Sequence, residues 1–348
     1  MQRTDLAGVK PIIFSAEGLS LSAAEKDLFS TEKPFGLILF ARNVDTPNQL
    51  RALIDDFRDV VGRADAPVLV DQEGGRVQRL RPPYWFQAPA LSKFGELFDI
   101  DPGLGERAAV LATDIIIDDL KSVGFNVNCS PCLDLPRPET SNVIGDRALH
   151  KDIGILSRLG AVIADRYIER GILPVMKHLP GHGRATVDSH HDLPTVSVSR
   201  EELQKSDFQP FKALNALPWA MTAHIVFDQI DPDNPATQSK TIIQDVIRGD
   251  IGFQGLLLSD DLNMNALKGS IGERAEAAYE AGIDILLHCS GDISEMRDIA
   301  PRIPHMSETV KDRVLASNFV MPVEGEVEEP FDRHAAIHEL QELLSLIS

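Results

Sequence analysis

The chain has 348 residues, and its 53 acidic against 34 basic side chains leave a formal net charge of −19. That balance repels polyphosphate, and no basic patch offsets it, which argues against a nucleic-acid partner. Hydrophobic content of 43% with 25% charged residues fits a globular protein, and no apolar run nears a bilayer-spanning length, so no membrane contact is expected.

Short apolar runs alternate with amphipathic segments from end to end. The spacing predicts strands at Pro11–Ser15, Gly36–Phe40, Ala66–Asp71, Phe125–Cys129, Leu173–Lys177, Trp219–His224, Gly255–Asp260 and Ile283–Cys289. Between them it predicts helices at Gln49–Val61, Gly105–Val123, Ile153–Arg170, Arg200–Leu214, Ile242–Asp250 and Glu273–Ala281. Gly62, Gly124, Gly171 and Gly282 follow four of these, where a left-handed cap is needed. Eight strands with intervening helices indicate an α/β fold, a closed (β/α)8 barrel rather than a doubly wound sheet. The G-x-G-x-x-G turn of the dinucleotide folds does not follow the first strand.

The chain reads as one domain over residues 1–348, and a monomer is expected. Its one compositional break is the acidic segment Glu324–Pro330. A closing helix from Asp332 to Leu346 then covers the barrel with Ile337, Leu340, Leu344 and Ile347. The opening MQRTDLAGVKPIIF lacks the basic-then-apolar order of a secretory leader, so a cytoplasmic protein is expected. Three cysteines fit a reducing compartment. Cys129 and Cys132 form a C-x-x-C without a second such pair, near a strand end, and read as buried packing. Cys289 carries no cue.

In such a barrel the active site forms at the C-terminal ends of the strands, and the unusual polar residues gather there. Asp71 closes the third strand and opens DQEGGRVQR; Asp134 and NVIGDR follow the fourth; Lys177 and His178 end the fifth; His224 ends the sixth; Asp260 and Asp261 end the seventh in SDDLNM. The densest stretch runs from Lys177 to Asp192. Its sixteen residues hold one lysine, four histidines and two aspartates around glycines and a proline, a loop that carries polar chemistry to a pocket.

KHLPGHG followed by DSHHDLP, together with SDDLNM, DQEGGRVQRL and NVIGDRALH, resembles glycoside hydrolase family 3 over nearly the whole chain. Within that family it resembles the NagZ-type bacterial β-N-acetylglucosaminidases. The resemblance implies a retaining exo-glycosidase that removes terminal β-linked N-acetylglucosamine through a covalent glycosyl-enzyme. Its implied substrates are N-acetylglucosamine-containing saccharides or muropeptides of peptidoglycan recycling, and no cofactor or metal is called for. It makes Asp260 the nucleophile, with Asp188 and His190 as an acid/base dyad. It gives Asp71, Lys177, His178 and Arg147, joined by Arg79, the task of holding the sugar hydroxyls.

The residues themselves accommodate those roles. Asp188 and His190 lie two apart in an extended segment, so their side chains share a side. A carboxylate on one imidazole nitrogen leaves the other free to carry a proton. Successive strand residues face opposite ways, so only one of Asp260 and Asp261 should point at the sugar, and Asp261 is expected to make a structural contact behind it. Glu73 and Arg76 read equally well as an internal ion pair, and His224 as pocket lining or a satisfied strand-end histidine. Asp134 reads as structural, and His182 and His191 as neighbours that shape the loop. Gly181 and Gly183 suggest that the loop moves to bring His190 over the substrate.

Four other readings compete. A metal-dependent hydrolase would use His178, His182, His190 and His191, but Leu179-Pro180-Gly181 breaks the helix that H-x-x-x-H needs. A family 3 β-glucosidase usually takes its acid/base from a following domain and lacks the Asp-x-His loop. A β-N-acetylglucosaminide phosphorylase would profit from a histidine that does not repel phosphate. A non-catalytic sugar-binding barrel would have lost the dyad or the nucleophile, and all three residues are present.

Overall fold

The computed structural model describes residues 5–137, 143–185, 193–264, 267–317 and 331–347. Eight parallel strands close into a barrel in chain order: Lys10–Ser15, Pro34–Leu39, Val68–Val70, Val127–Asn128, Leu173–Leu179, Trp219–Thr222, Leu256–Asp261 and Ile285–Leu287. The eighth pairs back onto the first through Ile12↔Leu286 and Ile13↔Leu287. All eight coincide with the apolar runs of the sequence, several trimmed by a residue or two.

Period-two alternation divides the strand side chains into two cores. Ile13, Ile38, Leu69, Val127, Val175, Met221, Leu258 and Leu287, one from each strand, belong to an apolar cluster that fills the barrel. Their neighbours Ile12, Leu37, Val70, Met176, Ala220, Leu257 and Leu286 join the larger cluster between barrel and helices. The same parity continued two residues past the plug decides what faces the barrel mouth.

The helices follow from caps and amphipathic stripes. Thr46 and Asp101 cap the N-termini of Pro47–Val61 and Pro102–Val123, each with proline in the first turn. Gly62, Gly124, Gly171 and Gly282 have φ of 67°, 99°, 74° and 111°, the left-handed backbone expected of them. Ala23–Glu32 lies outside the predicted helices, although Ser22 and Glu25 form a capping box that announces it. The segment Ile242–Asp250 is helical as expected, wound as a π-helix.

One predicted helix is corrected. Arg200–Leu214 is two short helices, Arg200–Lys205 and Gln209–Ala213, separated at Ser206–Phe208. Pro210 has no N–H to donate and its ring clashes with the preceding turn, so it sits in the first turn of a new helix instead of inside a continuous one.

The closing helix is Arg333–Leu344, capped by Asp332, whose carboxylate accepts from Ala335 N–H at 2.9 Å. Leu340 is fully buried, and Ile337, Leu344 and Ile347 pack at the edge of the same core. Arg333 holds Asp118 and Asp119, each at 2.7 Å, on Pro102–Val123. The acidic segment Glu324–Pro330 lies outside the described residues. Leu340→Ala should lower unfolding free energy by about 2–5 kcal/mol, as expected for a buried leucine. Leu346→Ala, 56% exposed, should change it by less than about 0.5 kcal/mol. Urea denaturation of the two variants measures the difference, and equal midpoints would mean that the helix is not part of the core.

Candidate active site

The inward parity of the plug carries straight into a polar layer. Leu69 is followed two residues on by Asp71, Val175 by Lys177, Leu258 by Asp260, Ile38 by Phe40 and Leu287 by Cys289. All of these later residues line one cavity of about 240 Å³ at the barrel mouth, with Arg76, Arg79, Val143, Arg147, His178, Met221 and Asp261. Of the residues singled out in the sequence, Asp71, Arg79, Arg147, Lys177, His178 and Asp260 therefore meet in one place. Asp188 and His190, with His191, lie outside the described residues.

Two successive residues of strand five reach the cavity, which alternation alone forbids. The pairing with strand six steps from Lys177↔Met221 to Leu179↔Thr222, so two residues oppose one and the extra residue, His178, is re-aimed. The Lys177–His178 peptide is cis.

Five charges form an alternating chain along the floor and wall. Arg79 Nη2 donates to Asp71 Oδ2 at 3.1 Å, and Lys177 Nζ to Asp71 Oδ1 at 2.8 Å. Lys177 Nζ also lies 2.7 Å from Glu73 Oε1. Arg147 grips Glu73 with both ends, Nε to Oε2 at 3.0 Å and Nη2 to Oε1 at 2.8 Å. Three cations stand against two carboxylates, so the chain offers one net positive charge to the cavity that also holds Asp260.

Burial would push the carboxyls of Asp71 and Glu73 up and the Lys177 ammonium down, and the opposite charges at contact distance overcome it. Lys177 and Arg79 hold Asp71 well below the usual carboxylate range. Arg147 and Lys177 bring Glu73 down to about 2, and Asp71 and Glu73 hold Lys177 well above its ordinary value. Glu73 is thus an internal ion-pair residue, one of the two readings left open by the sequence, with Arg147 and Lys177 as its partners. Arg76 instead meets Asp146 at 2.8 Å, in an exposed pair.

His178 is oriented from behind. Its Nδ1 lies 2.6 Å from Asp134 Oδ2. Burial works against the Asp134 carboxylate, but the adjacent imidazole holds it well below the usual range, so Nδ1 carries the proton it shares and Nε2 is left for the cavity. Asp134 Oδ1 also accepts from His182 N–H at 2.6 Å, tying the turn after strand five to the strand-four end. Burial, then repulsion from His178, pushes His182 down to about 4.

Among the described residues, Cys132, Asp134 and His178 bring donor atoms within 4.8 Å of one another, a spacing a metal ion could use. Protons already satisfy that carboxylate: it takes the imidazole on one oxygen and the His182 amide on the other. The Cys132 thiol stands 3.3 Å from Oδ2, and burial keeps it protonated. Both C-x-x-C cysteines are fully buried.

Asp260 and Asp261 end strand seven. Asp260 Oδ1 accepts from the Asp261 N–H at 2.8 Å, which fixes its rotamer. Asp261 Oδ1 accepts from Asn263 N–H at 3.1 Å and Cys289 N–H at 3.0 Å, bracing the turn against the end of strand eight while still edging the cavity. Burial raises its carboxyl above the usual range. His224 is fully buried, its Nδ1 2.7 Å from Thr237 Oγ1 and its Nε2 2.9 Å from the Asp261 carbonyl oxygen. Of its two readings the structure selects the satisfied histidine. Phe40, flanked by the guanidiniums of Arg42 and Arg79 at 5.1 and 5.5 Å, and Cys289 are cavity residues the sequence reading passed over. The i+2 parity beyond Ile38 and Leu287 was the signal for both.

Glu73→Gln leaves two buried cations under-compensated and should cost about 3–5 kcal/mol near neutral pH. Because the Glu73 carboxyl is depressed from 4.5 to about 2 in the folded chain, its contribution is complete above 4.5 and lost as pH falls toward 2. The stability gap between wild type and variant should therefore close through that window in a denaturation series. A gap that stays constant would contradict the ion-pair assignment.

Comparison with known proteins agrees with the barrel fold. The Glycosyl hydrolase family 3 N terminal domain matches residues 13–318. A beta-hexosaminidase of Alkalilimnicola ehrlichii is 39% identical over 287 residues, 80% of each chain. One of Bordetella pertussis is 33% identical over 319 residues, 90% of this chain and 89% of its own. Among solved structures, NagZ of Neisseria gonorrhoeae in complex with N-trifluoroacetyl-D-glucosamine superposes with a TM-score of 0.86 at 29% identity, covering 97% of this chain and 99% of its own. A family 3 beta-N-acetylglucosaminidase of Paenibacillus superposes with a TM-score of 0.82 at 28% identity, covering 99% of this chain and 69% of its own. With the closed barrel, the rim cavity and these relatives together, the chain belongs to glycosyl hydrolase family 3 and is a glycoside hydrolase of the beta-hexosaminidase kind.

Proposed function

We propose that the enzyme is a retaining exo-glycosidase that releases terminal β-linked N-acetylglucosamine by way of a covalent intermediate on Asp260. The observation that carries this is the shared cavity: an inward carboxylate at a strand end faces a prepaired cluster of charged hydrogen-bonding groups. A pyranose with several hydroxyls suits that cluster, since Asp71, Arg79, Arg147, Lys177 and His178 present both donors and acceptors already held in place by one another, by Glu73 and by Asp134. Bonds from charged groups give direction as well as affinity, and little ordering cost remains when the sugar enters. The gonococcal relative's ligand, an N-acylated glucosamine, supports the sugar assignment.

In the first step an Asp260 carboxylate oxygen attacks the anomeric carbon while the bond to the leaving oxygen breaks. His190, oriented by Asp188, gives that oxygen its proton. In the second step His190 takes a proton from water, the hydroxide adds to the anomeric carbon, and the bond to Asp260 breaks. Likeness to the NagZ type supports peptidoglycan-derived muropeptides as substrates and a cytoplasmic role in cell-wall recycling, with the enzyme acting as a monomer.

Aryl β-N-acetylglucosaminide and aryl β-glucoside, assayed with wild type and Asp260→Ala, test the reading. Wild type should prefer the N-acetylglucosaminide, and Asp260→Ala should abolish turnover with an unchanged thermal melt; near-normal kinetics in the variant refutes the nucleophile. His190→Ala should lose about 10²–10⁴-fold in kcat/KM on a phenyl glycoside, where acid assistance matters, and far less on a dinitrophenyl glycoside. Equal losses on both would remove the proton-donor role.

A further inference from the structure

The break in the helix pair after strand five has a chemical consequence. With Pro210 starting a new helix, the linking residues turn Asp207 inward until it is 1% exposed. Three donors converge on its Oδ2: Arg184 Nε at 2.8 Å, Arg137 Nη2 at 3.2 Å and Ser206 Oγ at 2.7 Å. Arg184 also reaches Glu202 at 2.8 Å and Ser206 Oγ at 3.3 Å.

The positions of these partners in the chain matter more than their number. Arg137 immediately precedes residues 138–142, beyond which Val143 lines the cavity. Arg184 stands two residues before the segment 186–192, which contains Asp188 and His190. One buried carboxylate therefore holds the stems of both chain segments. The stem Gly181–Ala185 has little other freedom, so Gly181 and Gly183 serve close approach here and not the hinge that the sequence suggested. A Cβ at Gly183 would collide with the Leu135 carbonyl oxygen, and one at Gly181 would stand 3.2 Å from Asp207 Cβ. His182 N–H is bound to Asp134. On the far side Thr195–Val196 pairs with Val226–Phe227 as a two-stranded parallel ribbon.

We propose that Asp207 is a positioning residue for proton transfer: through Arg184 and Arg137 it sets where the stem bearing Asp188 and His190 leaves the barrel. This rests on the acid/base role proposed above for His190. A neutral residue of similar shape could fill the space, but a buried anion binds two guanidiniums through charge-assisted bonds that a neutral oxygen does not match. Displacing a catalytic group by about 1 Å costs on the order of 10²-fold, so an anchor remote from the sugar can control the rate.

The test uses the full chain and kcat/KM, which reports the first chemical step, on a phenyl and a dinitrophenyl β-N-acetylglucosaminide. Asp207→Asn and Arg184→Gln should each lose about 10–100-fold on the phenyl glycoside and less than about threefold on the dinitrophenyl one. Added to His190→Ala, neither should lower the phenyl rate further. A role limited to holding the fold would lower both substrates by the same factor and leave their ratio unmoved, and that result overturns the proposal. If His190→Ala shows the leaving-group bias and the two anchor variants do not, the inference fails while the acid/base reading stands. If His190→Ala itself shows no bias, the acid/base reading fails and the inference with it. Should Asp207→Asn fail to fold, Arg184→Gln, at a partly exposed side chain, decides alone.

Discussion

The Lys177 ammonium, closed off from water between Asp71 and Glu73, is the interaction on which the rest of the site depends. Removing an ammonium and two carboxylates from water costs several kcal/mol for each ion, and only contact geometry with every remaining hydrogen bond satisfied offsets it. Arg79 and Arg147 bind the two carboxylates at either end. The five groups come from the ends of strands three and five, the loop after strand three and the loop after strand four. None can shift without stranding a neighbour's charge, so the cluster locks the upper rim of the barrel into one arrangement before any substrate arrives.

Strand parity explains why the cluster can exist there. An apolar plug of one side chain per strand closes the barrel, and the next inward position on several strands is polar or aromatic. The floor of the cavity is therefore dry and rigid, and the charges above it see a low dielectric from below and solvent only through the mouth. In such a place hydrogen bonds to charged groups are stronger than in water. The same parity puts Asp260 inward and leaves Asp261 to brace Asn263 and Cys289.

What the sequence disclosed and what it hid divide along the range of the interactions. The eight strands were legible because each is a local apolar run, and four helix ends because a left-handed cap wants glycine. The split of Arg200–Leu214 was written locally too, in Pro210, but the amphipathic stripe on either side outweighed it. Glu73 could not be assigned from its neighbours, since its partners Arg147 and Lys177 lie 74 and 104 positions away. His224 needed Thr237 and the Asp261 carbonyl before it could be told from a pocket residue. Asp207, which carries no motif, takes its meaning wholly from two arginines in other segments.

Strand five links these levels. Its inward residue Lys177 holds the charge cluster, and its bulged residue His178 leans on Asp134. The turn that follows is bound through His182 to the same Asp134, and through Arg184 to Asp207. In the proposed reaction the nucleophile must meet the anomeric carbon along one line, which favours a carboxylate fixed at a strand end. The proton carrier must serve two oxygens in turn, the departing one and that of water, which favours a group on a segment of its own. Such a segment is useful only if its root is as rigid as the strand. Two buried aspartates, Asp134 after strand four and Asp207 between the helices after strand five, hold that root. Both grip the chain just beyond strand five, so in the proposed reaction binding geometry and proton-transfer geometry share one reference frame.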